Sequence, residues 1–146
     1  MRVVAQRSTY ASVSVDNELI NDIEYGLVLL VSFTQGDSIK EIEYMANKLI
    51  KLRIFDDDNG VMNKSIVDVN GEFLSISQFT LYADTSKGNR PSYSNALYSV
   101  EANQLYQCFN QKLNEIIPTK CGVFGANMEL LINNSGPVTI IIDSKE

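Results

Sequence analysis

Ala11-Ser12-Val13-Ser14-Val15-Asp16-Asn17 is the stretch on which the fold turns. Ala11, Val13 and Val15 alternate with Ser12 and Ser14, the period-two pattern of a strand with one buried and one wet face. Asp16-Asn17 is a turn signal, and residues 18–23 read as the returning strand. Toward the N-terminus, residues 3–5 also read as a strand. Toward the C-terminus, Gly26 breaks the chain before Leu27-Val28-Leu29-Leu30-Val31, a continuous apolar run of strand length. Hairpins therefore come first.

Helices enter later. Ser38 with Glu41 three residues on is a capping-box pattern. Ile39, Ile42, Met45, Ala46, Leu49 and Leu52 then recur at helical spacing, and Lys48, Lys51 and Arg53 crowd the end, where cations suit the helix dipole. Residues 72–77 read as a strand running into Gln78-Phe79-Thr80-Leu81, followed by a polar loop over 84–90. A second helix is expected over 99–116, with Ala102, Leu105, Phe109, Leu113 and Ile116 on one face and Pro118 ending it. Residues 128–132 and 138–142 read as strands joined by a turn, Asn133-Asn134-Ser135-Gly136-Pro137. The sum is an α+β domain with a largely antiparallel, curved sheet and two main helices. The chain has 146 residues and neither repeat nor linker, so one domain over 1–146 is expected.

Composition excludes much chemistry. The chain has no histidine. That removes a Ser-His-Asp triad, a Cys-His pair, a His-ligated zinc site and a His general base. Cys108 and Cys121 form no CxxC or metal-ligand spacing and read as reduced thiols, and no cofactor or metal is expected. Asp56-Asp57-Asp58-Asn59-Gly60 resembles a calcium loop only superficially. With Gly60 at its sixth position, Phe55 and Ile66 fall where carboxylates are required. The net charge of −6 argues against general coating of DNA or RNA, but permits a local basic patch that grips an RNA end. No apolar run approaches the ~20 residues that span a bilayer, and the opening MRVVAQRSTY has no long apolar stretch. A cytoplasmic protein without membrane contact is expected.

Four segments could carry chemistry. Ser77-Gln78-Phe79-Thr80-Leu81 ends a strand in two hydroxyls and an amide, where freed backbone N–H groups can stabilise an oxyanion. The plain alternative is a strand end with ordinary side-chain hydrogen bonds. Thr80 as a nucleophile would need a base, and Lys87 is the nearest conceivable one. Lys87-Gly88-Asn89-Arg90-Pro91 is a basic loop, either solvated or touching RNA phosphates, with Arg90 as a bidentate donor. Phe124-Gly125-Ala126-Asn127-Met128 places small residues between large ones, which suits close approach of a ligand or tight packing. The fourth is the segment around Gly136 and Pro137, whose peptide geometry the sequence leaves open.

These segments, in this order, resemble the D-aminoacyl-tRNA deacylase family from end to end. Met1-Arg2-Val3-Val4, Gln6-Arg7 and the 11–16 hairpin arm resemble its N-terminus. Leu52-Arg53-Ile54-Phe55-Asp56-Asp57 and Met62-Asn63 resemble its next stretch. Ser77-Gln78-Phe79-Thr80-Leu81-Tyr82 is similar to its SQxxL-type motif, Lys87-Gly88-Asn89-Arg90-Pro91-Ser92 to the loop that follows, and Asn134-Ser135-Gly136-Pro137-Val138-Thr139 to its Gly-cis-Pro motif. Asn127, Ser86 and Tyr93 depart from the family pattern, which often has an acid, a basic residue and Phe there.

The resemblance implies a homodimer of compact domains, each with a barrel-like sheet flanked by helices. It implies hydrolysis of the ester in D-aminoacyl-tRNA at the tRNA 3′ acceptor end, assisted by the terminal adenosine's 2′-hydroxyl. Backbone N–H groups near Phe79 and Thr80, beside Ser77 and Gln78, would hold the oxyanion. Gly136 and Pro137 would reject L side chains from within the partner subunit's pocket, with glycyl-tRNA also open to cleavage. Lys87, Asn89, Arg90, Phe124, Gly125, Ala126 and Met128 would meet the tRNA and its adenosine. Alternatives are a non-catalytic module that binds the tRNA acceptor end, and a small-molecule esterase unrelated to tRNA, which the missing histidine disfavours.

Overall fold

The structure is a computed structural model that describes residues 1–145. Its spine is β1 (Arg2–Val15), a single 14-residue strand where the sequence suggested two shorter ones. Asp16 and Asn17 both adopt positive φ, 50° and 65°, as a two-residue hairpin loop requires, and lead into β2 (Glu18–Ile23). β3 (Gly26–Ser32) pairs antiparallel with the first half of β1, and β2 with the second half. The opposite edge of β1 is taken along its length by β8 (Glu129–Asp143).

The sheet is mixed. β6 (Glu72–Ser77) runs parallel to β3, and β7 (Thr119–Cys121), which the sequence pattern did not reveal, runs parallel to β6. The sheet curls until its ends meet through side chains. Asn21 Nδ2 donates to the Cys121 carbonyl and Lys120 Nζ to the Asp22 carbonyl, both at 2.7 Å. The result is a nearly closed, barrel-like sheet. A short hairpin, β4 (Phe55–Asp56) and β5 (Met62–Lys64), carries the acidic turn at its tip, where Asp57 accepts from the N–H groups of Asn59 and Val61.

The two helices cover one face. α1 (Ile39–Lys51) begins with the expected capping box: Ser38 Oγ accepts from the Lys40 N–H, and Glu41 accepts from Ser38. Its stripe of Ile42, Met45, Ala46, Leu49 and Ile50 is buried. At ~1.5–3 kcal/mol for each fully buried large aliphatic side chain, this packing outweighs the cap. α2 (Ser99–Asn114) buries Ala102, Tyr106, Phe109 and Leu113; Ile116, expected on this face, lies past the helix end and is 58% exposed.

β3 reads as unbroken apolar sequence because both its faces are covered. Leu27, Leu29 and Val31 join the core under the helices, while Val28 joins Ala11, Val13, Ile23, Leu74 and Ile76 on the other side. Gly26 is required by a close backbone approach, since a Cβ there would lie 1.8 Å from the Glu72 carbonyl oxygen.

The expectation of a turn at 133–137 is corrected. Residues on both sides of it pair with β1 in the same antiparallel sense, from Gln6↔Thr139 to Ser8↔Asn134. The chain does not reverse. Residues 135–138 form an outward bulge opposite Arg7 alone. β6 ends at Ser77 as read from the sequence, and Phe79–Tyr82 beyond it is a 3₁₀ turn.

Candidate active site

β3 and β6 end side by side, Val31 paired with Ser77, and diverge beyond that point. The ladder ends with Gln78 N–H donating to the Val31 carbonyl at 2.7 Å. A cavity of about 690 Å³ opens there. Ser32 and Phe33 line one side, and Ser77, Gln78 and Phe79 the next. The segment from Tyr93 to Ser99 and the start of α2 close a third side, and Phe124 to Met128 the fourth. The Thr34 hydroxyl donates to the Asn95 carbonyl (2.6 Å) and the Leu97 N–H to the Phe33 carbonyl (2.9 Å), which ties this wall to the strand ends.

The lining is neutral. Among the described residues it contains no Asp, Glu, Lys or Arg, and tyrosine is its one titratable residue type. Phe79 and Tyr93 meet edge to face, ring centroids 5.1 Å apart, at the mouth. Phe124 leans on Tyr106 (5.7 Å), whose hydroxyl donates to the Ser75 carbonyl at 2.7 Å. Burial pushes the Tyr106 phenol up to about 12, so it is a fixed neutral support. Burial also raises the Cys121 thiol, which makes it a poor nucleophile. Gly122 permits the close seat of Met128, because a Cβ there would lie 2.5 Å from its sulfur.

The turn after Ser77 frees two donors. The N–H groups of Phe79 and Thr80 have no acceptor among the described residues, since the first intra-turn bonds start at Leu81, which donates to the Gln78 carbonyl. Thr80 itself does not line the cavity, and its hydroxyl accepts from the Gln78 side-chain amide. Ser77, Gln78, Phe79, Phe124, Gly125, Ala126 and Met128 are thus brought together, with Asn127 among them. Lys87, Asn89 and Arg90 are exposed on the loop between Asp84 and Ser92, away from the lining. Ser86 on that loop donates its N–H to Asp84.

Gly136 and Pro137 are exposed on the β8 bulge, joined by a cis peptide bond, and do not line their own chain's cavity. Arg7 fastens the bulge from beneath, a role no sequence signal assigned to it. It is 6% exposed, its Nε donates to the Ser135 carbonyl (3.3 Å), and one terminal nitrogen reaches the Ile54 carbonyl (2.9 Å) and Asp56 (3.1 Å). Asn134, with its amide oriented to satisfy its neighbours, donates to the Val138 and Arg7 carbonyls at 3.1 Å. Gly136 has φ 117°, and a Cβ there would lie 2.8 Å from Val138 Cγ2 and 3.0 Å from the Val138 nitrogen.

A family model described as D-Tyr-tRNA(Tyr) deacylase matches residues 4–143. A solved structure described as "c-Myc DNA Unwinding Element Binding Protein" is 39% identical, each chain covering 98% of the other, with a TM-score of 0.93. A second, described as "a probable eukaryotic D-amino acid tRNA deacylase", is 15% identical over 97% of each chain with a TM-score of 0.83, a likeness of fold.

Proposed function

The chain belongs to the D-Tyr-tRNA(Tyr) deacylase family, it is a hydrolase of that class, and on this premise we propose that its neutral cavity receives the 3′ end of a tRNA charged with a D-amino acid. The observation that carries the reading is the pair of unclaimed N–H groups on consecutive residues, Phe79 in the cavity wall and Thr80 next to it, where among the described residues the lining has no acid or base other than tyrosine. An aminoacyl ester is already activated, so alignment and a stabilised oxyanion supply what a protein base otherwise would. Water attacks the ester carbonyl while the adenosine 2′-hydroxyl relays its proton. The oxyanion rests on the Phe79 and Thr80 N–H groups, and collapse expels the ribose oxygen, giving free D-amino acid and uncharged tRNA. Phe79, Tyr93 and Phe124 offer apolar faces to the adenine, and Lys87, Asn89 and Arg90 meet neighbouring phosphates.

Gly136 and Pro137 act as the chirality filter. In a homodimer, their main-chain oxygens enter the partner subunit's cavity and block an L side chain. Two features support this. The bulge is exposed and stands outside its own chain's cavity. Among the described residues, β8 pairs with β1 alone, and its outward row includes Leu131 and Ile141, 54% and 68% exposed. An open edge with apolar side chains is what a second copy covers. Glycine has no side chain to reject, so glycyl-tRNA mischarged on tRNA-Ala is also cleaved. The location is the cytoplasm, where such tRNA is made. Among the described residues, no helix is long and apolar enough to cross a membrane.

The test compares D-tyrosyl-tRNA with L-tyrosyl-tRNA. Release of free D-tyrosine with the L ester untouched is expected; equal turnover of both would overturn the filter. The 39% identity to a protein named for binding a DNA unwinding element favours one other reading, a DNA-binding module. The net charge of −6 weighs against it. Tight duplex binding without ester hydrolysis would decide for DNA.

A further inference from the structure

Among the described residues, Lys40, Lys48, Lys51, Arg53, Lys87 and Arg90 have no carboxylate within ion-pair distance, whereas the other six cationic side chains each have one. Three of the unpaired cations converge. Lys48, Lys51 and Arg53, with Tyr44, Asn47 and Leu52, line a groove of about 500 Å³ along the end of α1. Lys48 Nζ lies 5.7 Å from the centre of the Tyr44 ring, which steadies the ammonium beside an aromatic face. Arg53 is held by its Nε, which donates to the Asn63 carbonyl at 2.9 Å, and among the described residues its terminal nitrogens have no hydrogen-bond acceptor. The helix dipole accounts for cations in the last turn of α1, but its influence fades beyond the helix end, where Arg53 stands.

Gathering three like charges costs repulsion, offset in part at Arg53 by the nearby Asp68 carboxylate and further relieved by a bound anion. The rest of the molecule is acidic, so this groove is a local exception to a net charge of −6. Its position is informative. Arg53 precedes Ile54, whose carbonyl accepts from Arg7, and Arg7 in turn holds the Ser135 carbonyl next to Gly136. One buried arginine therefore links the rim of the groove to the bulge proposed to enter the partner subunit's cavity.

We propose that this groove is a contact surface for RNA phosphates, taking the backbone of the tRNA acceptor stem as it leaves the cavity. The assignment rests on the deacylase reading for the identity of the RNA. Tyr44 adds a flat face for a ribose or base, and the lysine pair gives point charges that track a backbone without reading sequence.

The experiment is a salt titration of the double variant Lys48→Gln, Lys51→Gln, which spares the Arg53 tie to Asn63. Loss of two phosphate contacts is expected to flatten the slope of log affinity against log salt by about 1.8 for a duplex stem. KM for D-tyrosyl-tRNA is expected to rise roughly fiftyfold near ~0.1 M salt while kcat holds. D-tyrosyl-adenosine, which has no stem to reach the groove, should show no such penalty. The variant Lys40→Gln, Lys112→Gln removes the same charge elsewhere and should leave the slope alone. An unchanged slope in the groove variant, or an equal loss in the control, overturns the proposal. If the wild type hydrolyses neither D ester, the deacylase reading fails, and the slope for uncharged tRNA measured by anisotropy still judges the groove. Duplex DNA bound as tightly as tRNA, with the same slope change, overturns the assignment to RNA.

Discussion

Thr80 tests how far catalysis depends on side chains. Its hydroxyl is turned toward the Gln78 amide and stands outside the cavity lining, whereas its backbone N–H is unclaimed. Thr80→Ala keeps that N–H, so D-tyrosyl-tRNA turnover is expected to stay within about threefold of wild type, far from the ~10²–10³ loss typical of a missing oxyanion donor. Complete loss in a folded variant would restore a role for the hydroxyl. Asp143 gives a stability test. Burial alone would raise its carboxyl, but the Lys145 N–H and the Arg2 guanidinium, at 2.8 Å, more than offset this and hold it below the usual range. A lowered folded pKa means the stabilisation is full above the unfolded value of about 3.9 and is lost as pH falls through the folded one. Asp143→Asn should therefore lower the melting temperature at neutral pH, with the gap closing as the pH falls below the usual carboxylate range and through the lowered folded value. A gap that persists in acid would contradict this. At this scale the sequence spoke unevenly. Ser77 to Phe79 and Phe124 to Met128 could be singled out by residue type, and the fold brings them together around one cavity. Arg7 was not, because a charged residue in a strand pattern ordinarily reads as a solvated position.

The β8 bulge shows why elements were harder to read than periodicity suggests. Asn133 to Pro137 has turn chemistry, and a turn and a bulge call for the same residues. What separates them is the partner strand. Only the full length of β1, pairing on both sides of the interruption, reveals that the chain runs on. Parallel pairing was hidden for a similar reason: a buried strand looks alike whichever way its neighbour runs, so β3 was found while its parallel partners' order was not. The α1 cap was legible because its interactions lie within four residues. Gly26 belongs to the β3–β6 contact, where a side chain would strike Glu72 backbone. Gly26→Ala is expected to cost about 3 kcal/mol, the upper end for overpacking a rigid site. Denaturant unfolding would measure it, and a change under about 0.5 kcal/mol, the range of a neutral surface substitution, would show that the strands part easily.

At the scale of the molecule, the cavity and the Gly136–Pro137 bulge are built by one chain but do not meet within it. The inner row of β8 is itself incompletely covered, since Val138, Ile140 and Ile142 pack on the core yet remain partly exposed. A second copy on β8 would cover that strand and deliver the bulge to the cavity in the same step. Chirality would then belong to the assembly and hydrolysis to the protomer, and the two can be separated. Leu131→Asp with Ile141→Asp places charge on the outward row of β8 without touching either core. Sedimentation velocity should find the wild type dimeric and this variant monomeric. The monomer retains the Phe79 and Thr80 donors, so D-tyrosyl-tRNA should still be cleaved, but the L ester loses its obstacle. The ratio of D to L turnover is expected to fall by roughly a hundredfold, the scale of one steric rejection in a shaped pocket. A monomer that kept the full ratio would place the filter within the protomer, and a wild type that sedimented as a monomer would remove the need for a partner.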